Sequence, residues 1–311
     1  MKTKETNIMK TALVLGINGN FGLEMALALS KAGWSIKALV RDPNKVPSFV
    51  EAKLIVGDAL KQQQVMAAAQ GVDLIVYALN PPYHRWQQQA LPLLEPCLQV
   101  AEQLGLRILF PGNVYNFNPQ ASLIDEHQAM HPPSEKGQIR VKMEQRLKQA
   151  SENGAKVTIV RAGDFIGPHT HLSWVSTMVK HKKDRYQVAF PHNQEHVHFW
   201  SYLPDLCANT VQLLEQSQAD FEVWHDPGLA LSRKDWQQAF ASNGTNIKST
   251  NLAWWGGSII APFVPMLKEV LKMRYLWQQP VILDGSKMRQ ALQKSYQSTP
   301  LSQVLQQLKL N

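Results

Sequence analysis

Residues 13–26 read LVLGINGNFGLEMA: an apolar run breaks into Gly16, Gly19 and Gly22, then resumes as a helix-like stretch. A strand that turns at once into a helix needs glycine at the turn, and again wherever backbone must approach backbone or a ligand closely. The start of such a helix offers unsatisfied N–H groups and partial positive charge to an anion such as a pyrophosphate. Three glycines at this spacing are a weak signal alone. They gain weight here because they follow the first strand of a longer strand–helix series.

That series runs through TALVLG (11–16), WSIKALV (34–40), AKLIVG (52–57), VDLIVYAL (72–79), LRILF (106–110) and KVTIV (156–160). Helical patterns over 22–33, 59–70, 84–104 and 136–152 separate most of them. Strands that are apolar nearly throughout, rather than alternating, fit a parallel sheet covered on both faces. The expected fold is therefore α/β: a Rossmann-type doubly wound parallel sheet over 8–165, with a smaller C-terminal α+β substrate-binding part over 166–311. Strands of that second part can return to the first sheet. Within it HLSWVSTMVK reads as a short helix, and YQVAFP and HVHFW as short strands. Further helices are expected over 203–216, 265–278, 286–294 and 300–310, and one begins with the capping box of Ser232 and Asp235.

The end of the second strand bears on which dinucleotide would bind. An NAD site usually places Asp or Glu there to hold the ribose hydroxyls. Here the strand ends ALVRDPNK, so Arg41 comes first, Asp42 one step late, and Lys45 adds charge. A guanidinium fork suits a phosphate. NADP(H) is favoured, and NAD(H) stays open if Asp42 takes the ribose while Arg41 points to water.

A formal charge of +8 raises the question of nucleic acid, but the basic residues are scattered apart from KHKKDR (180–185), and no aromatic interleaving accompanies them. No nucleic-acid partner is expected. The most apolar late stretch, WWGGSIIAPFVPML (254–267), holds two prolines and two glycines. It falls short of the roughly 20 residues that cross a bilayer. The polar N-terminus has no signal-peptide run, so a cytoplasmic protein without a membrane partner is expected. Cys97 and Cys207 lie far apart in apolar contexts and read as buried thiols. His192, His196 and His198 lack the companion pattern of a metal site, so no metal is expected. His169 and His171 border the loop after the KVTIV strand. No G-x-S-x-G elbow supports a hydrolase.

Across nearly its whole length the chain resembles the extended or atypical branch of the short-chain dehydrogenase/reductase superfamily, the NAD-dependent epimerase/dehydratase relatives. The resemblance rests on GINGNFG (16–22), GD (57–58), YALNPP (77–82), VY (114–115), RVKMEQRL (140–147), RAGDFIGP (161–168) and SYLPDLCANTV (201–211). It implies that Asn18, Asn20 and Phe21 wrap the pyrophosphate together with Gly16, Gly19 and Gly22, and that Asp58 faces the adenine. It further implies that Ala78, Leu79 and Asn80 line the nicotinamide side, with Gly163, Asp164 and Phe165 closing over the cofactor.

The family normally carries Tyr-x-x-x-Lys on the 136–152 helix and a Ser or Thr at the end of the fifth strand. On this resemblance Lys142 is the retained lysine, holding the nicotinamide ribose, and Gln138 fills the tyrosine position. Pro111 and Gly112 stand where the hydroxyl would be. An amide does not exchange protons near neutral pH, so Gln138 can bind but not act as acid or base.

Three readings stay open. Hydride transfer can persist with a proton from Tyr115 or Tyr83, both expected on loops at the carboxyl edge. Lys142 or a substrate hydroxyl can replace the tyrosine. Or the protein binds NADP(H) without turnover and reports it to an unknown protein partner. The expected partner otherwise is a small carbonyl- or hydroxyl-bearing metabolite that the chain reduces, oxidises or epimerises, contacted by Tyr83, Asn113 and Trp174, in a monomer or homodimer. Trp174, with Trp254, Trp255, Tyr275 and Trp277, can line a substrate pocket, fill the core or form a subunit contact.

Overall fold

The computed structural model describes residues 9–119, 123–171, 173–182, 185–191, 196–254, 261, 264–308 and 310. Its centre is a parallel sheet of β1 (Thr11–Leu15), β2 (Ser35–Val40), β3 (Lys53–Val56), β4 (Leu74–Tyr77), β5 (Arg107–Gly112), and two later strands. These follow β6 (Leu123–Ile124) and are β7 (Lys156–Arg161) and, beyond β8 (Asp164–Ile166), β9 (Val179–Lys182), β10 (Arg185–Phe190) and β11 (His198–Tyr202), the strand β12 (Phe221–His225). The order across the sheet is β12-β7-β5-β4-β1-β2-β3, parallel at every pairing. The succession reverses between β1 and β4, which opens a crevice at their carboxyl ends.

Alternation along the strands sends side chains to two cores. Leu13, Leu15, Ile75 and Tyr77 face one layer, made by α2 (Gln62–Ala68), α3 (Trp86–Leu104) and α4 (Glu135–Glu152). Ala12, Val14, Leu74 and Val76 face the other, made by α1 (Asn20–Lys31) and α6 (Leu203–Gln216), the latter following α5 (Trp174–Met178). Both faces are covered, which is why the strands are apolar on both sides.

The second half both returns to this sheet and builds its own layers. β12 forms the outer edge beside β7. β8 pairs with β11, which also pairs with β13 (Leu229–Leu231), and β14 (Ile247–Asn251) pairs with β10. α7 (Arg233–Ser242) starts with the full Ser232–Asp235 capping box. The helix expected over 265–278 ends early: α8 covers Pro265–Lys272 and a tighter turn covers Arg274–Trp277. β15 (Ile282–Leu283), α9 (Ser286–Leu292) and α10 (Leu301–Gln307) complete the chain. Both cysteines are free and buried. Among the described residues no helix is long and apolar enough to cross a membrane.

Candidate functional site

The glycine loop turns β1 into α1 at the crevice. Gly16 sits at φ +95°, a left-handed region that suits glycine, and a Cβ there would lie 2.6 Å from the Ala78 carbonyl oxygen. A Cβ on Gly22 would lie 2.2 Å from the Gly16 carbonyl oxygen. Gly19 donates its N–H to Gly16 at 3.0 Å and stands as the N-cap of α1. No side chain caps α1, and its first turn holds no acidic residue. Its leading amides and partial positive charge are therefore left for an anion, and the loop fits the pyrophosphate of a dinucleotide.

Asn18 is exposed beside this turn. The side chains of Asn20 and Phe21 are committed elsewhere. Asn20 holds the backbone of His171, donating to its carbonyl and accepting from its N–H at 2.9 Å each. Phe21 stacks on Phe165 with ring centroids 6.2 Å apart. At these two positions only the backbone faces the anion site. His169 also bonds to α1, Nδ1 to Glu24 Oε1 at 2.7 Å, so the loop after β8 is fastened to α1 at both histidines.

Past β2, Arg41 is exposed, whereas Asp42 caps the following turn by accepting from the Asn44 N–H at 3.1 Å. Lys45 lies 3.9 Å from the same carboxylate. Asp58 likewise serves its own turn, accepting from the Leu60 N–H at 3.0 Å. Ala78 and Leu79 are half-buried and Asn80 exposed where β4 ends against Gly16. Gly163 comes so close to β11 that a Cβ would lie 2.4 Å from the Phe199 carbonyl oxygen, and Asp164 pairs with His198 Nε2 at 2.7 Å.

α4 departs from the sequence reading. Gln138 and Lys142 both lie on its exposed face, so neither points into the fold. The inward residues are Lys136, 3% exposed, and Arg140, 8% exposed, at the same i, i+4 spacing two positions earlier. The phase is set by Met143, Leu147 and Ala150, which are buried against the sheet. Stepping back from them by three or four residues reaches Arg140 and Lys136, whereas a shift of two turns a side chain by about 200°. Gly137 allows the docking: a Cβ there would lie 2.1 Å from the Tyr115 carbonyl oxygen. Ser134 caps the helix, accepting from the Gly137 N–H at 3.2 Å.

Around Lys136 and Arg140 the carboxyl edge of β4 and β5 gathers a hydroxyl pair. Tyr83 and Tyr115 share a hydrogen bond, oxygen to oxygen, at 2.9 Å. The Lys136 ammonium lies 5.5 Å over the Tyr83 ring and donates to Glu269 of α8. Arg140 donates to the Pro111 carbonyl and stacks over Phe110 and Trp86, its Cζ 4.6 and 5.9 Å from the ring centroids. Burial pushes both phenols above their ordinary range, Tyr115 the further, so both hold their protons at neutral pH. Burial also draws the Arg140 guanidinium down.

Asn113 directs its side chain to the Tyr115 N–H at 3.1 Å, so it shapes the tyrosine's turn. Trp174 is packed into an aromatic cluster, 4.8 Å from Trp277 and 5.9 Å from Trp254. His198 stacks on Trp277 at 3.7 Å. His192 and Trp255 lie outside the described residues. Among the described residues no group of three or more His, Cys, Asp or Glu side chains could hold a metal.

A buried network beneath the site escaped the sequence reading. Arg161 makes a two-pronged pair with Glu144 at 2.7 and 2.9 Å. It also donates to the Asn113 carbonyl at 2.7 Å and to His225 Nε2 at 3.2 Å. His225 Nδ1 lies 2.9 Å from the Ile124 carbonyl, and its pKa is lowered to about 3 by burial and by the Arg161 charge. The available signal was a charged residue closing an apolar strand, KVTIVR, and an acid on the apolar face of α4.

Comparison with known proteins agrees with this fold. A model of a family described as NAD(P)H-binding matches residues 16–189, more than half the chain. The fold is similar to a putative epimerase from Burkholderia cenocepacia J2315, at TM-score 0.76 and 20% identity over 96% of each chain. It is similar to an L-threonine dehydrogenase from Clostridium difficile, at TM-score 0.75 and 15% identity over 96% of each. It is also similar to a UDP-N-acetylglucosamine 4-epimerase from Bacillus cereus, at TM-score 0.72 and 14% identity, covering 95% of this chain and 98% of that one. At these identities the likeness is one of fold. Among curated proteins there is no match.

Proposed function

The chain belongs to the family described as NAD(P)H-binding, and we propose from that premise that it falls in the epimerase/dehydratase branch of the short-chain dehydrogenase/reductase superfamily and is an NADP(H)-dependent oxidoreductase of a small carbonyl or hydroxyl compound. The observation that carries this reading is the half-buried Tyr83–Tyr115 hydroxyl pair, set beside Lys136 and Arg140 at the carboxyl edge. Lys136 and Arg140 take the places where the family sets its tyrosine and lysine, and the two phenols beside them supply the proton.

When bound, the nicotinamide supplies a hydride to the carbonyl carbon. Tyr115 holds the proton for the carbonyl oxygen, and donation completes the alcohol. Tyr83 hydrogen-bonds to the phenolate so formed and returns a proton to it from solvent. Arg140 stabilises the negative oxygen in a site with little water, where charge is worth more. The Pro111 carbonyl, held by Arg140, orients that guanidinium from the strand end where the family's hydroxyl would stand.

The preference for NADP(H) rests on Arg41, exposed past β2, and on Asp42, which is engaged by its own turn. Titration with NADPH and NADH, followed by tryptophan quenching, tests this. NADH should bind at least about tenfold more weakly, a difference of roughly 1.4 kcal/mol; equal affinity would remove Arg41 from the argument, and no binding of either would remove the whole reading.

A second reading, NADP(H) binding without turnover, draws on the Lys136–Glu269 pair, which closes the site with the chain's own carboxylate. Tyr115→Phe separates the two. It should abolish NADPH oxidation by aldehydes and ketones while sparing NADPH binding; a wild-type chain that binds NADPH yet oxidises it with no carbonyl favours the sensor.

A further inference from the structure

The pairing of Lys136 is lopsided. Lys136 is buried, with its ammonium against the Tyr83 ring, and its anion is Glu269. Glu269 belongs to α8, none of whose residues is buried, and α8 reaches the site by packing on the Tyr83–Arg85 turn. Glu269 has a second cation in Lys272 at 2.9 Å, 45% exposed, and Lys272 reaches Glu135 at 3.4 Å. If α8 lifts away, Glu269 keeps Lys272 and gains water. Lys136 would lose the carboxylate it donates to while still packed on the Tyr83 ring, and a cation that loses its partner is costly unless another anion replaces it. A ligand that enters the site by moving α8 therefore gains affinity if it brings an anion of its own.

We propose that the substrate carries a carboxylate or phosphate that binds Lys136 in exchange for Glu269, so that α8 is an internal competitor that the substrate displaces. The proposal rests on the reading of this pocket as the substrate site and names the class of compound it takes: an oxo- or hydroxy-acid, or its phosphorylated counterpart. The anion sits at Lys136 and the reacting oxygen at the Tyr83–Tyr115 hydroxyls. The neutral ester of the same compound leaves Lys136 unpaired and is rejected. Glu269 carries the matching signature: burial pushes its carboxyl up, but the bonds from Lys136 and Lys272 outweigh that and hold it below the usual range.

The test uses the full chain, with and without NADPH, and three probes: 2-oxobutyrate, its methyl ester and inorganic phosphate. Binding is read by calorimetry, and amide exchange is followed over residues 265–272. The expected result is binding of 2-oxobutyrate or phosphate at least tenfold tighter than the ester, with faster exchange across α8. Which anion binds more tightly identifies the head group. Glu269→Gln should tighten anion binding several-fold and Lys136→Gln should weaken it at least tenfold, both read in the absence of NADPH. A merely structural ion pair would move both variants in the same direction.

Because exchange is measured on the wild-type chain, the test survives a variant that fails to fold. The proposal is overturned if the ester binds as well as the acid, if neither anion binds, if α8 exchange is unchanged or slowed, or if Glu269→Gln weakens binding. Loss of NADPH binding in the wild type would instead overturn the cofactor reading, while the anion titrations without NADPH still report on Lys136.

Discussion

The two halves of the candidate site are built from different material. At the β1–α1 turn the working parts are backbone: amides, carbonyls and the absence of Cβ atoms at Gly16 and Gly22. At α4 they are charged side chains brought out of water, Lys136, Arg140 and, one turn further, Glu144, each held by a specific partner. A backbone site is fixed by spacing along the chain and tolerates almost any side chain that points away. A side-chain site depends on helical phase and on each partner, so a small register error puts a different residue in it.

The sharpest way to break this contrast is to cut the charge network. Glu144→Ala leaves Arg161 buried without its carboxylate, and should lower unfolding stability by about 3–5 kcal/mol in urea titrations. At the glycine turn, Gly22→Val drives side-chain atoms into the Gly16 carbonyl. It should cost about 1–3 kcal/mol but abolish NADPH binding, an effect on function out of proportion to that on stability. A loss of stability as large as that of Glu144→Ala, with NADPH still bound, would reverse the assignment of roles.

The pH dependence sharpens the same point. His225 is buried neutral, with its pKa depressed to about 3, against about 6.5 in an unfolded chain. The unfolded state thus binds the extra proton first. Stability from this group is complete above about pH 6.5 and falls as pH drops towards 3, at up to about 1.4 kcal/mol per unit. Asp226, whose buried carboxyl is pushed up to about 6, works in the opposite sense over the same range, so the His225 contribution is read as a difference: between about pH 6 and 4.5, His225→Gln should lose less stability on acidification than the wild type in denaturant titrations.

Smaller again is Arg41→Ala, expected to weaken NADPH about tenfold, or roughly 1.4 kcal/mol, and to leave NADH alone. Smallest is Lys142→Ala. As an exposed helix lysine, it should change stability by less than about 0.5 kcal/mol and leave cofactor affinity and turnover untouched. A large loss of activity in that variant would return the active-site lysine to the outer face of α4.

What was legible in the sequence follows the same division. The glycine loop, the parallel sheet and its covering helices could be read because each is a local rule: no Cβ where backbones touch, apolar residues on both faces, helices between strands. The α4 site could not be placed that way. Lys142 matched a familiar spacing with Gln138, yet the apolar residues Met143, Leu147 and Ala150 on the same helix already fixed the phase and pointed to Arg140 and Lys136. The Gln138–Lys142 spacing and the apolar periodicity of the helix differ by two residues, and packing followed the periodicity. The hydroxyl pair of Tyr83 and Tyr115, 32 positions apart, and the Arg161–His225 contact, 64 apart, are products of tertiary closure that no local window contains. The committed side chains of Asn20 and Asp42 were hidden for a related reason: residue type allows a ligand contact, but the neighbouring loop or turn takes the group first.

The position of β12 at the sheet's edge has a consequence for synthesis. β7 is made long before the strand that covers it, and Arg161 at its end waits for His225 from that same late strand. While the ribosome adds the intervening residues, at about 5–20 per second, the nascent sheet carries an open, apolar edge and a buried-to-be arginine without its full set of partners. Folding of the first half can start early but cannot finish until the second half has emerged. A nascent chain stalled between residues 165 and 221 would present β7 as an unpaired apolar edge, the kind of edge on which chains associate.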